Sequence, residues 1–69
     1  MLKKRSFTLS GHRTSVALEP EFWAVLETEA ARTGANLSAF VAKIDGARGI
    51  RPLASALRVR ALAAQKSPP

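Results

Sequence analysis

Arg13, Ser15 and Ala17 alternate with Thr14, Val16 and Leu18 in one short run. A period of two marks a strand with one buried face. With Val16 and Leu18 turned inward, Arg13, Ser15 and Ala17 share the outward face. Those three side chains suit the edges of base pairs. Arginine pairs bidentately with guanine O6 and N7, serine pairs with a donor or an acceptor, and alanine contacts the thymine methyl. A slip of one residue would bury the arginine and expose two aliphatics, so this register is preferred. The plain alternative is a solvated sheet face.

A second group suits phosphate rather than bases. Asn36 is a good N-cap, and the N–H groups of Leu37 and Ser38 open the helix that follows it, where an anion is favoured. Such contacts position a duplex without reading it. Lys3, Lys4 and Arg5 cluster near the N-terminus and are expected to follow a phosphate backbone; a solvated basic tail is the alternative. Arg48, Arg51, Arg58 and Arg60 read first as surface charges. His12 is a surface or phosphate-neighbouring residue.

The elements that must hold these groups are short. Residues 1–12 form a basic N-terminal arm, expected to be flexible because termini fray unless tied down. The alternative is a second short strand over 5–9, where Phe7 and Leu9 alternate with polar residues, folding back through a Ser10-Gly11 turn. Residues 13–45 hold the strand and two helices. Pro20 opens the first helix without loss, since its missing N–H would have no partner there. Phe22, Trp23, Leu26 and Ala30 form its apolar stripe, and Gly34 ends it. The second helix runs from Leu37 to about Asp45, with Leu37, Phe40, Val41 and Ile44 on one face. Residues 46–64 comprise a loop and a third helix from Pro52 to about Ala64, carrying Leu53 and Leu57. A tail follows at 65–69. The fold class is mainly α with one short β-strand.

A single strand needs a ladder partner. With no convincing second core strand, the expected partner is the same strand of another copy. That predicts an intertwined homodimer with an intermolecular two-stranded antiparallel ribbon. Val16, Leu18, Phe22, Trp23, Leu26, Leu37, Phe40, Val41 and Ile44 form its expected dimer core.

Composition agrees with this reading. At 69 residues the chain is one small domain, and a core this small is marginal without an added device. There is no cysteine and one histidine, so neither a disulfide nor a metal site is expected, and no cofactor is. Oligomerisation is the device that remains. Eleven Lys and Arg against five Asp and Glu give a formal charge of +6, which attracts polyanions. No apolar run approaches the roughly 20 residues of a membrane span. Met1–Arg5 begins like a signal peptide, but 6–13 is too polar to continue it. The expectation is a cytoplasmic protein with no membrane partner. Acidic pairs such as Glu19/Glu21 and Glu27/Glu29 are spaced by two, which turns helical partners apart, so no enzymatic activity is expected.

Three segments carry a resemblance: Gly11–Val16, Leu18–Trp23 and Ser55–Val59. With the Gly34–Asn36 turn and the Leu37, Phe40, Val41, Ile44 stripe, the chain resembles the ribbon-helix-helix superfamily of bacterial DNA-binding proteins, the Arc and MetJ type. It is closest in wording to a subgroup of short bacterial members, over roughly residues 5–63. The resemblance implies a homodimer whose ribbon enters the major groove of double-stranded DNA at repeated half-sites. It also implies a backbone clamp at Asn36 to Ser38 and a role as transcriptional regulator or repressor. Ala17 departs from the larger polar residues usual on that face. One alternative is the antitoxin of a toxin–antitoxin pair, for which 65–69 offers little to wrap a toxin. Another is a dimer that binds a partner protein through its third helix and no DNA.

Overall fold

The computed structural model describes residues 1–66, and at Lys66 the backbone only. Two strands, β1 (Lys3–Leu9) and β2 (His12–Leu18), precede three helices, α1 (Pro20–Arg32), α2 (Leu37–Ala47) and α3 (Leu53–Lys66). The strands form a two-stranded antiparallel sheet, with Leu9 opposite His12 and Lys3 opposite Leu18. This corrects the expectation of one strand. Residues 3–9 are not a loose arm, and β2 finds its ladder partner within its own chain.

The cause lies in tertiary ties that the N-terminal position does not reveal. Phe7 and Leu9 are buried beside Val16 and Leu18 on the inner sheet face. The Trp23 indole N–H donates to the Lys3 carbonyl at 2.8 Å, and its ring lies 5.9 Å from that of Phe7. The Arg5 guanidinium sits over Trp23 at 5.1 Å and pairs with Glu27 at 2.6 Å. The hairpin turn has two residues, Ser10 at φ 51° and Gly11 at φ 80°. Left-handed backbone at both positions matches the twist of paired strands.

The helices close over the inner face. Pro20 stands at the start of α1 as expected, and Glu19 precedes it without a side-chain cap. Gly34, at φ 78°, ends α1. The Ala35 N–H donates to the Ala30 carbonyl and the Gly34 N–H to Ala31, the paired bonds of a Schellman stop. The second helix runs two residues beyond the expected end, because Gly46 and Ala47 continue it and the chain turns at Gly49 instead. Pro52 lies just outside α3 and its carbonyl accepts from the Ala56 N–H. The third helix reaches Lys66, so Gln65 and Lys66 of the expected tail are helical; residues 67–69 lie outside the described residues.

Leu18, Leu26, Val41 and Leu57 are fully buried, each worth roughly 1.5–3 kcal/mol against exposure. Of the nine expected dimer-core residues, Val16, Leu18, Trp23, Leu26, Phe40 and Val41 are buried within one chain. Phe22, Leu37 and Ile44 pack half-buried at its margin. Leu53, Leu57 and Ala61 of α3 complete the same cluster.

Candidate nucleic-acid interface

Pairing of β1 with β2 sorts fourteen strand residues onto two faces by parity. The outer face carries Lys4 opposite Ala17, Ser6 opposite Ser15, and Thr8 opposite Arg13. Five of these six are exposed and Ala17 is half-buried. The Ser6 and Ser15 hydroxyls meet at 2.9 Å across the strands. Arg13, Ser15 and Ala17 thus share one face, as the alternation predicts. Lys4, Ser6 and Thr8 join them from the same chain, where the single-strand expectation has the matching three residues of a second copy. The polar phase of Ser6 and Thr8 against Phe7 and Leu9 was the signal for them.

The basic N-terminal cluster is divided by the same parity. Lys4 lies on the outer face and makes no ion pair among the described residues. Arg5 lies on the opposite side, held by Glu27 and Trp23. Lys3 shares the parity of Arg5, with its carbonyl engaged by Trp23. The three side chains therefore do not form one patch.

At the start of α2, the Asn36 side chain accepts from the Ala39 N–H at 2.8 Å. The Asn36 carbonyl accepts from Phe40. The N–H groups of Leu37 and Ser38 precede any intrahelical acceptor, and Ser38 is exposed. This geometry can hold an anion.

Most remaining arginines have structural partners. Arg58 pairs with Glu19 at 3.1 Å and lies over Phe22, tying α3 to the start of α1. Hydrogen bonding to the backbone at Glu19 holds that carboxyl below its ordinary pKa, with the Arg58 hydrogen bond and charge acting in the same direction. Arg48 pairs with Asp45 at 2.7 Å. Arg60 lies over Phe40 and 3.8 Å from Glu29, a buried carboxylate that also pairs with Arg32. Arg13 and Lys4 are left as unpaired cations on the outer sheet face among the described residues.

Among the described residues, no group of three or more His, Cys, Asp or Glu is placed to hold a metal ion. No helix there is long and apolar enough to cross a membrane.

No curated protein and no solved structure shows significant similarity to the chain. A family model described as a ribbon-helix-helix domain matches residues 2–64, which span both strands and nearly all of α3. Domains of this kind generally bind DNA and dimerise. The chain belongs to the ribbon-helix-helix domain family.

Proposed function

We propose that the protein binds double-stranded DNA in a sequence-specific manner as a homodimer and regulates transcription, with the outer face of the β1–β2 hairpin in the major groove. The observation that carries this is the composition of that face. It holds two unpaired cations and three hydroxyls on a two-stranded ribbon, a shape the roughly 12 Å major groove admits. In this reading Arg13 and Lys4 pair with guanine, Ser6, Thr8 and Ser15 adjust to donors or acceptors, and Ala17 meets a thymine methyl. The N–H groups of Leu37 and Ser38, with Asn36 as cap, hold a backbone phosphate. Lys3 and Arg5 share the opposite parity and are left out of this contact, Arg5 serving the sheet.

A homodimer fits the hairpin as well. The sheet has two strands, so each strand keeps one edge of unpaired N–H and C=O groups. Pairing of two copies along such an edge places two outer faces side by side. The activity is binding, with steric occlusion of a promoter and no catalytic step.

Selection from a random duplex pool at about 100–150 mM salt, where weak nonspecific contacts are screened, tests the proposal. Enrichment of a repeated half-site is the expected result. Retention without enrichment would reduce the protein to a nonspecific binder, and no retention would remove DNA from the reading. If each dimer neutralises about six phosphates, the log–log salt slope is near −5.

A further inference from the structure

Ser6 and Ser15 stand directly opposite each other at the centre of the outer sheet face, with Lys4 and Ala17 on one side and Thr8 and Arg13 on the other. Both are exposed, and their hydroxyls lie 2.9 Å apart in a hydrogen bond that either can donate. Each hydroxyl has one proton to give and two lone pairs. The mutual bond uses one proton and one lone pair, whichever way it runs. One free proton and three lone pairs are left to a ligand. The rest of the face differs. Arg13 and Lys4 only donate, the Ala17 side chain does neither, and Thr8 has no second hydroxyl opposite it. A joined donor and acceptor is thus presented at one place on this face.

We infer that Ser6 and Ser15 read adenine as one unit, the free proton going to N7 and the other hydroxyl accepting from the N6 amino group. The inference rests on the DNA reading and adds to it a base and the residue pair that selects it. In the major groove adenine shows an acceptor beside a donor, whereas guanine shows two acceptors, N7 and O6. N7 is the purine acceptor that base pairing leaves without a partner, so the free proton goes there on either purine. On adenine the second hydroxyl then faces an N–H. On guanine it faces the lone pairs of O6, and a second donor appears only when the mutual bond breaks. Binding guanine therefore leaves one hydrogen bond unmade where the ribbon displaces water. Guanine suits Arg13, whose fork supplies two donors, and adenine suits the hydroxyl pair. Asparagine reads the same adenine edge with the two ends of one amide; here the two functions come from two strands. Hydroxyls acting separately would each rotate to suit either purine, and no preference would result.

The test takes the duplex recovered from the random pool and alters its half-site one base pair at a time in competition binding. The position of interest is the one whose preference changes in Ser15→Ala. There the unaltered protein should favour A·T over G·C about fivefold, the worth of one net hydrogen bond. An adenine analogue with C–H in place of N7, and purine, which lacks the N6 amino group, should each weaken binding about fivefold. Ser6→Ala and Ser15→Ala should each abolish the preference. The double variant should lose nothing more, because either change dissolves the unit. Ser6→Thr and Ser15→Thr keep a hydroxyl and should retain the preference. Both positions are exposed, and circular dichroism verifies that each variant stays folded. Additive losses in the double variant overturn the inference, since the hydroxyls would then act separately. So does a preference for G·C at that position. Selective binding that ignores both serines removes this inference and leaves the DNA reading standing, whereas failure to bind any duplex removes both.

Discussion

The two faces of the hairpin share one backbone and one register, yet their side chains have opposite fates. On the inner face, Phe7, Leu9, Val16 and Leu18 are buried against the helices. Arg5 on that side is spent on Glu27 and Trp23. On the outer face, Lys4 and Arg13 have no ionic partner among the described residues, and Ser6 and Ser15 have only each other. Arg5 on the first face is a fastener, and Lys4 and Arg13 on the second are available to a ligand. Charge counts alone do not separate them; strand parity does.

The largest effect expected from breaking this contrast lies on the inner side. Trp23→Ala removes a buried ring, its contact with Phe7, the platform under Arg5 and the hydrogen bond to Lys3. Loss of a buried tryptophan costs about 3–5 kcal/mol. That is a large share of the stability of so small a domain. Urea unfolding should show the free energy of unfolding falling by that amount, with amide exchange rising first along β1. If β1 stayed protected, the tie between Trp23 and the N-terminal strand would not be what orders it.

Arg13→Ala addresses the outer face. The Arg13 side chain makes no hydrogen bond or ion pair among the described residues, so stability should move by less than about 0.5 kcal/mol. Discrimination at one base pair of each half-site should fall by about 1–3 kcal/mol. Competition binding against duplexes altered one position at a time measures this. An unchanged preferred sequence would show that the outer face is only a solvated surface.

Asn36→Ala separates positioning from reading. The cap bond to the Ala39 N–H is lost, at a cost of about 1 kcal/mol. Affinity should decline by a similar factor for every duplex, because a phosphate contact carries no base information. A loss confined to the preferred sequence would move α2 from the backbone to the bases.

These contrasts also mark what was legible in the sequence. The alternation over 13–18 reveals the outward trio, and Pro20, Gly34 and Asn36 mark the helix ends through local chemistry. The β1 strand was visible only as a weaker alternative. Its alternation is short, and the evidence that outweighs fraying is tertiary: an indole twenty residues away bonded to its first carbonyl. For the same reason the ladder partner of β2 was sought in another copy. Lys3, Lys4 and Arg5 read as one cluster until pairing placed Lys4 on one face and Arg5 on the other.

The smallest expected effect lies at the turn that joins the two strands. Ser10 holds φ 51° beside Gly11 at φ 80°. Left-handed backbone suits asparagine better than serine, and Asn-Gly is the favoured pair for this turn. Ser10→Asn should therefore stabilise the domain, by about 0.5–1 kcal/mol if it resembles other substitutions that fit their backbone. For a chain of this length that is a rise in Tm of about 2–8 °C. The substitution lies outside both faces, so base preference should not change. A stabilised hairpin with unaltered specificity would show that the turn sets how firmly the strands pair while parity sets what they present. A shift in preferred sequence would mean that the turn itself reaches DNA, and the reading face would then extend beyond Thr8 and Arg13 into the loop.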